Sequence, residues 1–259
     1  MIAADVDGTL MTDDNTIPSD VLHVFDYLLS KNVRVIIASG RQLYNLYSLF
    51  KPYDNKIIFV AQNGAIITEG HKTIFEDTIS PNTISQCVFY GLKNDVSIML
   101  YTKENVLVVN SKPDVLKKLD GYNVPYEVVS DGNIQEKVFK ISYFKIGGNL
   151  ESLQKGLVIA NIHAFIANQY MIDITNININ KGTALKKLQL LYGIPKSMTC
   201  TFGDSENDID MFKESLYSYA MSNAPKSVKK YALREAPSNN QNGVVTVLKH
   251  LFNIEEDTI

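Results

Sequence analysis

The chain has 259 residues, of which 45% are hydrophobic and 20% charged, and its formal net charge is -3. This composition is that of a folded protein, neither disordered nor collagen-like, and the length allows one large core or two smaller ones. The small negative charge provides no general attraction for nucleic acid or for an anionic membrane surface.

The two cysteines, Cys87 and Cys200, are far apart and form no CxxC pair. Their spacing predicts neither a disulfide framework nor a thiolate zinc site, and we expect buried free thiols. The first residues lead directly into a strand, without the basic segment and long apolar stretch of a secretory signal. No apolar run approaches the ~18 to 20 residues needed to span a bilayer. We therefore expect a cytoplasmic protein that acts without a membrane or nucleic acid.

The first 80 residues alternate short apolar runs with amphipathic helical patterns. Strands are predicted over residues 1–4, 33–38 and 57–61, and helices are predicted to follow Pro18 and Ser39. Alternation of strands with helices is typical of right-handed βαβ units and a parallel sheet. The sequence therefore predicts an α/β fold for this part of the chain.

Residues 81–178 show a different pattern, with β-rich alternation at 106–109 and 138–141 and short helical stretches between such runs. This mixture predicts a second, α+β unit that is inserted into the first. Pro81 and the polar residues 175–178 are the candidate linkers.

The α/β pattern resumes over residues 179–259. A helix is predicted to begin at Lys181 and to end at Gly193, because glycine suits the left-handed position just past a helix end. A strand over residues 198–202 is predicted next. A helix that carries Ile209 follows it, and a closing helix completes the core.

Two carboxylates flank a single residue at the end of the first predicted strand, where the sequence reads Asp5-Val6-Asp7-Gly8-Thr9. Side chains two apart in an extended strand point to the same side, so Asp5 and Asp7 face one site while Gly8 lets the backbone turn beside them. This arrangement indicates a nucleophile and a metal site. A calcium loop does not fit, because that motif has glycine at its sixth position and glutamate at its twelfth.

Further polar motifs occur at the ends of later strands and at the start of a helix. They read Ser39-Gly40-Arg41, Asn180-Lys181-Gly182 and Gly203-Asp204-Ser205-Glu206-Asn207-Asp208. Ligands of open parallel sheets bind beyond the carboxyl ends of the strands, so we expect these motifs to converge.

Taken in this order, the four motifs resemble those of the haloacid dehalogenase superfamily of phosphatases, in particular its Cof-type branch. Those motifs read DxDGT, a serine or threonine after the second strand, a lysine, and GDxxND. The resemblance extends over nearly the whole chain. It implies a Rossmann-like parallel-sheet core formed by residues 1–80 and 179–259, with residues 81–178 as an inserted α+β cap domain of the C2 type.

The resemblance also implies a reaction through an aspartyl-phosphate on Asp5, with Asp7 as general acid and base. Lys181 would hold a phosphoryl oxygen and reduce the negative charge at the nucleophile. The other implied contacts are the Val6 amide, Ser39, Gly40 and Asn207 with the phosphate, and the Asp5 carboxylate, the Asp7 carbonyl and Asp204 with Mg²⁺, beside which Asp208 would orient metal-bound waters.

Elementary electrostatics supports a requirement for cations at such a site. A carboxylate is ionised at neutral pH, so Asp5 needs no base to activate it. Two like charges about 5 Å apart repel each other by roughly 3 kcal/mol at an effective dielectric constant near 20, and this site would hold several. An environment made entirely of oxygen ligands suits Mg²⁺.

We expect the substrate to be a small phosphorylated metabolite, such as a sugar phosphate or a phosphorylated cofactor, and the protein to be a monomer or a small homo-oligomer. Two alternatives stay open. A phosphomutase or phosphotransferase would share the intermediate, and a phosphoryl-ligand sensor would share the pocket. For Arg41, both a structural salt bridge and a substrate contact stay open, and Asn63 and Asp173 match positions that recur near the site of this family.

Overall fold

The structure is a computed structural model that describes residues 1–121, 124–130 and 134–254. The chain divides into two compact units. The first contains Met1–Arg41, Leu46–Ile74 and the described chain from Asn180 onwards, and the second contains Gln42–Asn45 and Phe75–Ile179. Each unit is built on its own sheet.

The strands are β1 (Ile2–Ala4), β2 (Val35–Ala38), β3 (Ile58–Ala61), β4 (Ile66–Glu69), β5 (Lys72–Glu76), β6 (Ser97–Tyr101), β7 (Val106–Val109), β8 (Tyr126–Val128), β9 (Lys140–Phe144), β10 (Ile162–Asn168), β11 (Met171–Asn176), β12 (Cys200–Gly203), β13 (Tyr217–Met221) and β14 (Arg234–Ala236). The α-helices are α1 (Ser19–Ser30), α2 (Leu43–Leu49), α3 (Pro81–Lys93), α4 (Pro113–Gly121), α5 (Leu150–Gly156), α6 (Lys181–Tyr192), α7 (Ile209–Lys213), α8 (Lys226–Lys229) and α9 (Gly243–Phe252).

The sheet of the first unit has the strand order β14-β13-β12-β1-β2-β3-β4-β5 within the described residues. The strands from β14 to β3 are parallel to their neighbours, and β4 is antiparallel to β3. The central strands β1, β2 and β3 are buried along their whole length, as expected for a parallel sheet covered on both faces. The predicted α/β fold is confirmed.

Two helices of the first unit show how local sequence sets the elements. Helix α1 buries one apolar stripe that includes Val21, Phe25 and Leu28. Helix α6 begins with a capping box, in which Asn180 and Thr183 bond each other's backbone amides, and it ends at Gly193 with φ 64°. The predicted start and end of α6 are therefore confirmed, and the cap fixes where Lys181 enters the core.

The strand predicted over residues 198–202 begins later than its apolar sequence suggested. Residues Lys196–Met198 form a 3₁₀ turn, in which the Met198 amide donates to the Pro195 carbonyl at 2.9 Å. Strand β12 therefore starts only at Cys200, and Met198 is 67% exposed. Because the Met198 amide is used in this turn, it is not available for a hydrogen bond to a neighbouring strand.

The second unit is an α+β structure whose sheet has the order β10-β11-β9-β6-β7-β8 within the described residues. Its pairs are antiparallel except for β7 with β8. One face carries apolar residues such as Ile98, Ile141 and Ile174 in a large buried cluster. The opposite face presents Lys140, Ser142 and Asp173, also buried.

The linker prediction within the second unit is wrong at two points. Pro81 is the first residue of α3, a position that suits proline because its missing amide is not needed there. Strand β11 continues through Thr175 to Asn176, pairing with β10. In the described ranges 1–121, 124–130 and 134–254, no helix combines the length and the apolarity needed to cross a membrane.

Candidate active site

The polar motifs of the first unit meet at one edge of its sheet. Strands β12, β1, β2 and β3 lie side by side and parallel, so their carboxyl ends are adjacent. Asp204, Asp5, Ser39 and Gln62 each follow one of these strands directly. Strand order thus brings together segments that are far apart in the sequence.

A buried ammonium ion lies at the centre of this cluster. Lys181 Nζ donates to Asp5 Oδ1 at 2.5 Å and to Asp208 Oδ1 at 2.7 Å. The Lys181 side chain is fully buried, and the side-chain exposures of Asp5 and Asp208 are 7% and 0%. Charge-assisted hydrogen bonds of this kind are stronger than those between neutral groups. The lysine is therefore fixed beside the nucleophile predicted from the sequence.

Asp208 acts as a scaffold for the loop that carries Asp204. Its Oδ2 accepts hydrogen bonds from the Asp204 and Ser205 amides, both at 3.0 Å, while its Oδ1 accepts from Lys181. Both oxygens therefore have partners within the protein. Its predicted role beside the metal stays a prediction, and the geometry supports an indirect role that holds Asp204 and Lys181 in place.

Asp204 faces the turn that follows Asp5. Its Oδ1 accepts from the Thr9 hydroxyl at 3.4 Å, and its Oδ2 accepts from the Ser205 hydroxyl at 3.2 Å. Gly8 has φ 73°, and a Cβ there would lie 2.5 Å from Asp204 Oδ2. Gly8 is thus required both by its left-handed backbone and by the close approach of this carboxylate.

The crowding of carboxylates changes their acidity. Burial, together with the nearby Asp208, Asp204 and Asp7 charges, raises the pKa of Asp5 well above its usual value, although Lys181 opposes this. Burial and Asp208 raise the pKa of Asp204 to about 6. The pKa of Lys181 is also raised, since the attraction of Asp208 and Asp5 outweighs the opposing effect of burial. The carboxylates together carry more negative charge than one lysine offsets.

This donor set fits a hard divalent cation. Carboxylate oxygens of Asp5, Asp204 and Asp208 lie within 4.8 Å of one another. Mg²⁺ prefers oxygen ligands and is usually held by one or two carboxylates, and this cluster holds three carboxylates against the single ammonium of Lys181. The Asp7 carboxylate lies outside this group.

The Asp7 carboxylate instead forms a two-point ion pair with Arg41. Arg41 Nε donates to Asp7 Oδ2 at 2.9 Å, and Nη2 donates to Asp7 Oδ1 at 2.6 Å. Of the two interpretations that the sequence left open for Arg41, the structure shows the salt bridge.

A turn after β3 connects the second and fourth motifs. The Asn63 amide donates to the Ser39 carbonyl and the Gln62 amide donates to the Arg41 carbonyl, both at 2.9 Å. Asn207 Nδ2 donates to Asn63 Oδ1 at 3.0 Å, while Asn207 Oδ1 is buried without a hydrogen-bond partner. This turn thus positions residues of two motifs that the sequence predicts to bind phosphate.

The turn itself has an unusual backbone. Gln62 and Asn63 both have positive φ, at 51° and 59°, so two consecutive non-glycine residues adopt the left-handed conformation. A Cβ on the predicted phosphate contact Gly40 would lie 3.2 Å from Asn63 Oδ1. The sequence singled out Asn63 without a role, and the structure shows that it supports Asn207.

The remaining predicted phosphate contacts also lie at this edge. Ser39 is buried, and its Oγ accepts from the Arg41 amide at 3.1 Å, which leaves the hydroxyl hydrogen available for a ligand. Val6 is buried, and its carbonyl accepts from the Thr9, Leu10 and Met11 amides in the turn after Asp5. Their contacts with phosphate stay predictions.

Comparison with known proteins identifies the family. The family model of haloacid dehalogenase-like hydrolases matches residues 2–248. The chain belongs to this family. It is 30% identical over 269 residues to the 5-amino-6-(5-phospho-D-ribitylamino)uracil phosphatase YbjI of Escherichia coli K12, a match that covers 98% of this chain and 97% of that protein. The chain is accordingly a phosphatase of the haloacid dehalogenase type, as the motifs suggested.

Solved structures share the fold along nearly the whole chain. The structure of SMU.1108c from Streptococcus mutans UA159 superposes with a TM-score of 0.90 at 24% identity, covering 97% of this chain and 98% of that one. The subclass IIB sugar phosphatase BT4131 gives a TM-score of 0.85 at 22% identity, covering 98% and 99%. The fold predicted from the motifs is therefore that of the family.

Proposed function

We propose that this phosphatase is Mg²⁺-dependent and hydrolyses small phosphomonoesters through a covalent aspartyl-phosphate on Asp5. The observation that carries the proposal is the cluster at the carboxyl end of the parallel sheet. There one buried ammonium contacts Asp5 at 2.5 Å, and the carboxylates of Asp204 and Asp208 lie close by. A simple anion-binding pocket would be weakened by such carboxylates, whereas phosphoryl transfer can use them.

Asp5 is suited to attack phosphorus because its carboxyl group is held in place. Lys181 contacts Asp5 Oδ1, and the capping box at Asn180 fixes the start of helix α6, which carries the lysine. In the reaction, an oxygen of Asp5 forms a bond to phosphorus while the bond to the leaving alcohol breaks in line. Ser39, the Gly40 amide and Asn207 would hold the equatorial oxygens during transfer.

Mg²⁺ would be held by the Asp5 and Asp204 carboxylates, with the carbonyl of Asp7 as the further protein ligand. When bound, it would supply positive charge that offsets the repulsion between the carboxylates and the phosphate. Asp208 would keep Asp204 in place through the two amides that it accepts.

Asp7 would act as the general acid and base. It would protonate the leaving alcohol in the first half-reaction, and it would take a proton from the water that hydrolyses the aspartyl-phosphate in the second. We expect Asp7→Asn to slow both half-reactions by ~10²- to 10⁴-fold, the range typical of a general acid–base. Single-turnover measurement of phosphoenzyme formation and decay would separate the two effects.

The substrate class is proposed from the relatives and from the site. YbjI is named for a phosphorylated ribitylamino compound and BT4131 as a sugar phosphatase, so both names describe phosphate esters of polyhydroxylated carbon chains. We propose that this chain takes substrates of the same kind. The first compounds to test are 5-amino-6-(5-phospho-D-ribitylamino)uracil and a set of pentose and hexose phosphates.

The deciding experiment measures inorganic phosphate released from this panel in the presence of Mg²⁺. We expect at least one compound to be hydrolysed with a kcat/KM of ~10⁴ M⁻¹s⁻¹ or more, the lower end of ordinary enzymes. Phosphate release without any added acceptor would exclude a phosphomutase or phosphotransferase. Values far below this for every compound would contradict the proposal and favour a phosphoryl-ligand sensor.

A further inference from the structure

The ion pair between Asp7 and Arg41 has the geometry of a fork that holds both carboxylate oxygens. The two donor–acceptor distances are 2.9 Å and 2.6 Å. A bidentate pair fixes the relative orientation of its two groups in addition to stabilising them. The Asp7 side chain is 56% exposed, so packing alone restrains its direction little.

Arg41 is held at its backbone as well as at its side chain. Its amide donates to Ser39 Oγ at 3.1 Å, and its carbonyl accepts from the Gln62 amide at 2.9 Å. Its Nη2 also lies 3.4 Å from Met11 Sδ, and Met11 forms a bridge with Asp7 in the turn after β1. The guanidinium is thus fixed with respect to the turn that carries Asp7, unlike the mobile partner of an ordinary surface ion pair.

We infer that Arg41 is a positioning residue for Asp7, which fixes the direction in which that carboxylate exchanges protons with the leaving alcohol and with water. This inference rests on the proposed function, in which Asp7 is the general acid and base. Arg41 itself transfers no proton, since a guanidinium is not deprotonated in proteins. Its contribution is orientation, and displacing a reacting group by about 1 Å can slow a reaction ~10²-fold.

The inference predicts a dependence on the leaving group. When an alkyl phosphate reacts, the bond from phosphorus to the alkyl oxygen breaks, and the proton of Asp7 moves to that oxygen. When p-nitrophenyl phosphate reacts, the phenolate is stable enough to depart without this proton. Because kcat/KM reports the steps up to release of the alcohol or phenol, orientation of Asp7 affects it for alkyl esters and hardly for the aryl ester.

The experiment compares wild type with Arg41→Gln and Arg41→Lys, using one alkyl phosphate from the panel and p-nitrophenyl phosphate. For Arg41→Gln we expect kcat/KM to fall ~10- to 100-fold with the alkyl ester and less than about threefold with the aryl ester. Arg41→Lys keeps the charge but loses the fork, so an intermediate loss is expected. Arg34→Gln is the matched control, because Arg34 forms an exposed ion pair with Glu69 in the same unit, and it should change neither value.

The double variant Arg41→Gln with Asp7→Asn separates an effect on the orientation of Asp7 from a general effect on folding. If Arg41 acts through Asp7, Arg41→Gln should change kcat/KM of the Asp7→Asn protein by no more than about twofold. Equal losses with both esters, or a full further loss in the Asp7→Asn background, would overturn the inference and indicate a direct contact with phosphate. Failure of the proposed function itself gives a different result, namely a wild type that hydrolyses neither ester.

Discussion

Each unit of this protein buries a lysine against a carboxylate, but the two clusters differ in their charge. In the second unit, Lys140 Nζ donates to Asp173 Oδ2 at 3.0 Å, and the Ser142 hydroxyl donates to Asp173 Oδ1 at 2.5 Å. Lys140 also lies 4.2 Å from the centre of the Tyr101 ring. In the first unit, Lys181 contacts Asp5 and Asp208 while Asp204 lies beside them.

The difference supports the proposed reaction at the Lys181 cluster and a structural role for the Lys140 pair. The Lys140–Asp173 pair balances one positive charge with one negative charge, and both Asp173 oxygens accept hydrogen bonds, as a structural pair requires. The Lys181 cluster has three carboxylates for one ammonium, and burial together with the Asp208 charge raises the pKa of Asp204 to about 6. A buried excess of charge is unfavourable for folding alone, so it indicates a site that binds a further ion.

The largest expected effects come from changing an aspartate to asparagine in each of the two lysine clusters. Asp5→Asn should abolish turnover and the covalent phosphoenzyme, because an amide is not a nucleophile for this reaction. It should not lower stability in metal-free buffer, since burial and like charges already disfavour the ionised Asp5. Asp173→Asn should lower the free energy of unfolding by ~3 to 5 kcal/mol, because it leaves a buried ammonium without its counter-charge.

Urea denaturation, together with phosphate release and acid-quenched phosphoenzyme, measures these outcomes. The charge comparison fails if Asp5→Asn destabilises the metal-free protein as much as Asp173→Asn does. An Asp5→Asn protein that still turns over would rule out this nucleophile.

Addition of Mg²⁺ should stabilise the first unit by a smaller amount. A ligand at about 100 times its Kd stabilises the folded state by ~2.7 kcal/mol, provided that it binds only that state. We expect the thermal midpoint of wild type and of Asp173→Asn to rise with Mg²⁺, and that of Asp204→Asn to stay constant. A rise of equal size in Asp204→Asn would show that the metal binds elsewhere.

Two asparagines in left-handed backbone positions provide a smaller comparison. Asn63 has φ 59° in the first unit, and Asn110 has φ 50° in the second, where its Nδ2 donates to the Val96 carbonyl at 2.9 Å. Glycine keeps either backbone but removes the amide, so each change to glycine should lower stability by ~1 kcal/mol. Only Asn63→Gly should weaken competitive inhibition by inorganic phosphate, about fivefold, because only Asn63 supports Asn207.

Inhibition constants for phosphate, measured alongside urea midpoints, test this expectation. If Asn110→Gly weakens phosphate inhibition as much as Asn63→Gly does, the turn after β3 has no special role.

The smallest expected effect concerns the two cysteines, which should not react with a thiol reagent in the native protein. Burial raises the pKa of Cys87 in the second unit to about 12, and that of Cys200 in the first to about 12. Because a raised thiol pKa reduces the thiolate at every lower pH, only about 1 in 10⁴ of each thiol is ionised at pH 8. A thiol reagent should therefore label neither cysteine in the native protein and both in urea. Rapid labelling of one cysteine in the native protein would contradict this expectation and would show that the unit containing that cysteine opens easily.

The sequence predicted the elements of the core and the order of its motifs well, because these depend on local patterns. Apolar runs marked β1, β2 and β3, and Gly193 marked the end of α6. It failed where a local hydrogen bond competed with the pattern, as at Met198, and where a proline that suggested a linker instead began a helix, as at Pro81.

The sequence by itself determined which chemical groups are present and at which strand ends, since a motif needs only a few neighbouring residues. The tertiary structure alone decided how those groups pair. Lys181 meets Asp5 across 176 positions of the chain, Asn207 meets Asn63 across 144, and Arg41 meets Asp7 across 34. Strand order and side-chain rotamers set these contacts, and neither can be read from the residues of a single motif.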